Sequence, residues 1–161
     1  MKHILMLIPL LPLWLFSFTS YADSEQVAVK SVEVSDIVKK ESPYSVNETM
    51  DKFEAIVKKK GLGIFVRVDH KKNAKTVGLD MNEAQVLIFG NPKGGTLVMK
   101  QDMAASLDLP LRVAVYKADD GKVYIAYHKP IGLADHYKLE GNKVLPKVTG
   151  ALDKLSSAAI K

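Results

Sequence analysis

The 161-residue chain predicts an α+β fold: a two-layer sandwich of a mixed or antiparallel sheet with helices on one face. Two observations predict it. Short alternating or apolar segments take turns with segments of helical period, in the order β-α-β-(short α)-β-α-β-β-α-α. Two neighbouring strands are joined by Asp119-Asp120-Gly121, a hairpin signal that makes that pair antiparallel.

Two leading segments precede the domain. Residues 1–22 carry one positive charge, Lys2, then an unbroken apolar run from Ile4 to Phe16, then Ser20-Tyr21-Ala22. Small residues at the positions a signal peptidase reads make this a secretory signal peptide, with cleavage after Ala22. The run is short for a span of roughly 20 residues and holds Pro9 and Pro12, which argues against an uncleaved anchor. The chain is therefore expected in the periplasm or outside the cell, off the membrane after cleavage. Residues 23–35 are a polar leader with alternating valines, a first strand or a loose arm. Residues 36–161 are read as one domain.

Residues 34–42 read as a strand ending before Pro43. "SVNETMDKFEAIVKKKG" is a helix: Ser45 is its N-cap with Glu48 three residues on, a capping box. Val46, Met50, Phe53 and Val57 form its apolar stripe, and Gly61 supplies a left-handed stop. "GIFVRVDH" is a strand, with Ile64, Val66 and Val68 predicted on one face and Phe65 and Arg67 on the other. "KKNAKTVGL" holds one short helix. "AQVLIFG" is a near-continuous apolar strand, suited to burial on both faces or to a subunit contact. "TLVMKQDMAASL" reads as one helix, and Leu111–Ala118 as a strand. "KVYIAYH" returns with Tyr124, Ala126 and His128 on one face and Val123, Ile125 and Tyr127 on the other. A helix near Pro130 and a terminal helix begun or interrupted near Pro146 complete the order.

Charge and cysteine content exclude several chemistries. Cleavage removes Lys2 alone, leaving 22 basic against 18 acidic residues, net +4. Bases alternate with acids, as on an ordinary soluble surface, so nucleic acid is not an expected partner. There is no cysteine. That excludes disulfides, covalent haem, thiolate metal sites, iron–sulfur clusters and a cysteine nucleophile.

The strand ending "VDH", then "VGL", "LIFGNPKGGTLVM", "LDLPLRVAVY" and "DGKVYIAYHKP" carry a family resemblance. From about Lys60 to Leu139 the chain resembles bacterial domain-of-unknown-function family 302. The resemblance implies a fold similar to the TATA-binding-protein-like two-layer α+β fold, and a homodimer; it leaves the chemistry open. The chain has Leu97 where relatives often have proline after the Gly-Gly-Thr.

"GNPKGGT" invites a phosphate-loop reading, but Lys93 precedes the glycines and Thr96 follows them directly, so the Walker pattern fails. Gly90, Gly94 and Gly95 also have the wrong spacing for a dinucleotide fingerprint. The plain reading is a turn: Gly94 or Gly95 at positive φ, Thr96 capping the next helix. The functional reading is an anion seat built from Asn91, Lys93, Gly94, Gly95 and Thr96, or a turn that walls a pocket.

His70 at a strand end is a candidate base or metal ligand, ahead of His128 and His136. Asp69 points to the opposite strand face and does not naturally orient it. Met99 and Met103, spaced i, i+4, would share a helix face and suit Cu(I), beside the plainer reading as core. Non-covalent haem with a His or Met axial ligand is a related cofactor reading. No catalytic residue set is legible, which leans against an enzyme. The expected function is an exported homodimeric binding or accessory module. It would hold a small anion, metal or haem near His70 and the GNPKGGT turn. The alternatives are a hydrolase or isomerase using His70 as general base, and a purely structural interaction protein.

Overall fold

The computed structural model describes residues 36–161. The expected signal peptide and polar leader lie outside the described residues. Among the described residues five strands form one antiparallel sheet: β1 (Ile37–Ser42), β2 (Gly63–Asp69), β3 (Ala84–Gly90), β4 (Leu111–Lys117) and β5 (Val123–His128). Their spatial order is β1-β5-β4-β3-β2. From β1 at one edge the chain crosses to β2 at the other and walks back. Of the mixed and antiparallel alternatives, the antiparallel one holds.

The crossing is made by α1 (Val46–Lys59). Ser45 Oγ accepts the Glu48 N–H at 3.2 Å, the expected cap. Gly61 sits at φ +68°, the expected stop, and Gly121 at φ +80° turns the β4–β5 hairpin. The apolar stripe of α1 is buried as expected: Val46, Met50, Phe53 and Val57 pack on Leu87, Phe89, Val113, Val115, Ile125 and Tyr127 of the sheet. The terminal helix α4 (Val144–Ala159) adds Leu152, Leu155 and Ala159 to the same core. It begins two residues before Pro146, where the Asn142 side chain accepts the Val144 N–H at 2.9 Å.

β2 departs from strict alternation. Its register shifts between Ile64 and Val66, so Ile64 opposes Phe89 while Arg67 opposes Leu87. Phe65 is the extra residue of a bulge, which swaps the face of everything after it. Ile64 and Arg67 therefore share the helix side, and Val66 and Val68 lie on the other, correcting the alternation read from sequence. On the helix side Arg67 binds Asp51 and Glu54 of α1, and its Nε and Nη2 donate to Gln85 Oε1 at 2.9 and 2.6 Å. Gln85 is buried and donates onward to Asn47.

The opposite face of the sheet carries Val66, Val68, Val86, Ile88 and Ala114 on neighbouring strands. Neither α1 nor α4 covers it. On β3, Gln85, Leu87 and Phe89 are buried beneath the helices while Val86 and Ile88 keep partial exposure. Among the described residues no helix is long and apolar enough to cross a membrane.

Two segments are shorter or differently wound than expected. The stretch from Pro130 to Asp135 is a 3-10 helix. The expected single helix over 96–107 is two pieces: α3 (Pro92–Gln101) and a 3-10 turn at Met103–Leu107. Asp102 divides them with extended backbone, φ −145° and ψ 113°. Its carboxylate accepts the Ala104 N–H and the Lys138 N–H, both at 2.9 Å. These amides, Lys138 first, hold its pKa below the ordinary 3.8. A lowered carboxyl pKa contributes stability above the unfolded value, which is lost as pH falls through the folded one. Asp102→Asn is therefore expected to lose less stability on acidification below about pH 4 than wild type. Urea midpoints followed by circular dichroism at several pH values measure this, and equal slopes would refute it.

A candidate apolar groove beside the Gly-Asn-Pro turn

α3 begins earlier than the sequence suggests. Asn91 is its N-cap, with Oδ1 accepting the Lys93 N–H at 3.0 Å, and Pro92 takes the first helical position. Thr96 therefore lies inside the helix and caps nothing. Gly94 and Gly95 are also helical, and neither has positive φ. The expected strained turn is absent because Asn91-Pro92 starts the helix before the glycines are reached.

What the glycines do instead is open space. A groove of about 390 Å³ runs between α3, α4 and the end of the sheet. Asn91, Gly94, Gly95, Thr96 and Met99 of the sequence-predicted set line it, facing Phe65, Val144, Val148 and Leu152 among others. Among the described residues no charged side chain lines it; its polar side chains are Asn91, Thr96 and Ser106. The bulge at Phe65 belongs to this site, since it brings a ring that is 59% exposed to the groove wall. A Cβ on Gly94 would lie 3.9 Å from Val144, and one on Gly95 4.0 Å from Met99, both ordinary contacts.

Those distances set the sign of a substitution. Glycine in a helix costs roughly 0.5–1 kcal/mol relative to alanine, and here neither φ nor crowding requires it. Gly94→Ala and Gly95→Ala are each expected to raise stability by about 0.5–1 kcal/mol, measured as a higher urea midpoint. A loss in either would mean the backbone there needs glycine after all.

The other predicted site residues are placed apart. Lys93 is exposed on the first turn of α3 and does not line the groove. His70 opens the short helix α2 (His70–Thr76) after Asp69, which pairs with Gln85. Gly63, at the other end of that strand, pairs with Gly90. A strand of this length spans about 20 Å, so His70 and the GNPKGGT segment lie at opposite ends of the sheet. Within one chain they form no common pocket. Asp69 is committed as the N-cap of α2, accepting the Lys72 N–H at 2.9 Å, so it does not orient His70.

The methionine pair is also separated. The break at Asp102 ends the helical register between Met99 and Met103; Met99 lines the groove while Met103 is 71% exposed. Among the described residues no three of His, Asp and Glu converge as a metal site. For haem the groove offers one thioether, Met99, no imidazole, and no cation for the propionates. That donor set, one thioether, does not make a copper centre, and within the groove alone it does not make a haem centre.

A second, smaller cleft of about 190 Å³ adjoins the groove. It holds His128 and His136 together with Asp36, Asp108, Arg112 and Lys129. Leu111, Pro130 and Leu133 line both. Asp108 is engaged on both oxygens, by Arg112 at 3.0 Å and by the Tyr137 hydroxyl at 2.6 Å. Nothing in the sequence beyond their spacing joins His128 to His136.

A family model described as "Domain of unknown function DUF302" matches residues 38–155. A crystal structure of an uncharacterized conserved DUF302 protein from Bacillus stearothermophilus has a similar fold. Its TM-score is 0.62 at 21% identity, covering 78% of this chain and 95% of that one. Curated relatives include two Brucella proteins, each 38% identical over 109 residues, or 68% of this chain. They are the fluoride-specific ion channel FluC 1 of Brucella suis biovar 1 (strain 1330) and FluC 2 of Brucella melitensis biotype 1 (strain ATCC 23456 / CCUG 17765 / NCTC 10094 / 16M). The chain covers 43% and 40% of their lengths, so it spans about two fifths of these relatives.

Proposed function

Since the chain belongs to the DUF302 family, whose description names no chemistry, we propose its function from the groove. It is an exported homodimeric binding module that takes up a small apolar ligand between α3, α4 and the end of the sheet. The supporting observation is the pair Gly94-Gly95: two helix-interior glycines with no conformational or steric need line an uncharged groove. Ligand pockets are mostly apolar with a few polar groups, and about 390 Å³ is within their usual range. The module is read as a binder because nothing lining the groove titrates.

The test is uptake of N-phenyl-1-naphthylamine, an apolar fluorophore that brightens out of water. Wild type and Gly95→Ala are expected to bind it. Gly95→Phe, which fills the groove, is expected to weaken binding about tenfold or more, or about 1.4 kcal/mol. Equal binding by Gly95→Phe would remove the groove reading.

The homodimer is supported by the open sheet face, where Val66, Val68, Val86 and Ile88 lie together. Contiguous apolar surface of this kind is commonly covered by a partner, and a two-fold copy is the commonest closed solution. Ile88→Asp is expected to turn a sedimenting dimer into a monomer. A wild type that sediments as a monomer would overturn this part.

The Brucella relatives favour a second reading, an accessory domain working beside a membrane channel for fluoride. Cells lacking this protein would then tolerate less fluoride. Unchanged tolerance would dismiss the reading and leave the groove untouched.

A further inference from the structure

The groove and the polar cleft share Leu111, Pro130 and Leu133, and their chemistries are complementary. One side of that shared wall has no charge; the other has six ionisable side chains. We propose that the two form one composite site for an amphipathic ligand, its apolar body in the groove and a carboxylate head in the cleft against Arg112, His128 and His136. This rests on the groove reading and adds the class of the ligand.

The sign of the head follows from what is already engaged. Asp108 has each oxygen occupied, one by Arg112 and one by Tyr137. Arg112 donates only one of its five N–H groups to it, and its side chain is 52% exposed, so the rest of the fork faces the cleft and solvent. A planar guanidinium matches a carboxylate in two-point fashion. His128 and His136 are exposed at the same cleft and add imidazole N–H donors. Lys129 and Asp36, of opposite charge, also line the cleft, the Asp36 carboxylate beside Gly132, 3.2 Å from where a Cβ would sit. An apolar ligand with no head would leave this cleft filled by water alone. A ligand with an ammonium head would meet the exposed Arg112 guanidinium.

The experiment uses three ten-carbon probes on the full mature chain: decanoate, 1-decanol and decylamine, by titration calorimetry. Wild type is expected to bind decanoate about tenfold tighter than decanol, and decylamine weakest, a factor of ten being about 1.4 kcal/mol. Arg112→Gln, at an exposed position, is expected to bring decanoate to within about threefold of decanol while leaving decanol unchanged. His136→Gln, as a second exposed variant, is expected to narrow the preference in the same direction. Equal binding of decanoate and decanol by wild type, or tighter binding of decylamine, overturns the composite site and leaves the groove. Failure of all three probes to bind removes the groove and the head site together.

Discussion

Phe53→Ala is expected to destabilise the domain by about 3–5 kcal/mol, the range for deleting a fully buried aromatic ring. Phe53 has no exposed surface. Its ring meets Phe89 edge-on, with centroids 5.4 Å apart and planes at 78°. The substitution removes the transfer energy of the ring, its aromatic pairing and the contacts of every side chain around it. Room for collapse is small, because Met50, Val57, Leu87 and Val113 are themselves fully buried and in place. Since a domain of this size has only about 5–15 kcal/mol in total, the variant is left marginal. Equilibrium urea unfolding gives the value; a loss under about 1 kcal/mol would mean that α1 is not seated on the sheet through this ring.

The second large effect belongs to Arg67→Met, expected to cost about 1–3 kcal/mol. Methionine keeps much of the stem's packing, so the loss reports on hydrogen bonds. Gln85 is only 6% exposed, and both donors to its Oε1 come from Arg67. Removing them strands a buried acceptor. Asp51 is mostly exposed and regains water, so its share is small. The double variant Arg67→Met with Gln85→Leu is therefore expected to recover part of the loss, which a simple ion-pair account does not anticipate. If the double variant is worse than the sum of the two singles, the acceptor argument fails.

Much of the fold was legible because its signals are local. Ser45 and Gly61 bracket α1 through their own backbone geometry, and Asp120-Gly121 turns a hairpin whatever surrounds it. The faces of β5 follow from simple alternation. The face of β2 did not, because a bulge appears only when a strand is laid against its partner. At the turn, two local signals competed: Gly-Gly suggested strain, while Asn91-Pro92 was an N-cap followed by a helix-starting proline. The second was readable and won, since an Asn cap with Pro at the first helical position satisfies the amides without any left-handed residue. Site composition was less legible. Asn91, Gly94, Gly95, Thr96 and Met99 share the groove, but its opposite wall comes from α4, some fifty residues later. His70 was drawn toward the turn by closeness in sequence, and the antiparallel register carried it to the other end of the sheet. Asp102 concealed the separation of Met99 from Met103 because an aspartate inside a helical pattern reads as tolerable until its carboxylate is seen capping the next turn.

The strand order sets a timetable for the chain. Of the described strands β1 is the first to leave the ribosome, yet its partner is β5: Ile37 pairs with His128 and Ser42 with Val123. During synthesis β1 waits through α1, three other strands and a hairpin before its hydrogen bonds have anywhere to go. The meander β2-β3-β4-β5 can assemble from neighbours, but Lys40 reaches its anchor at Asp153, Ser156 and Ser157 only when α4 has emerged. The closure of so long a loop makes folding of this domain slow relative to a helical bundle of equal length. A nascent chain stalled before α4 has no means of holding its first strand.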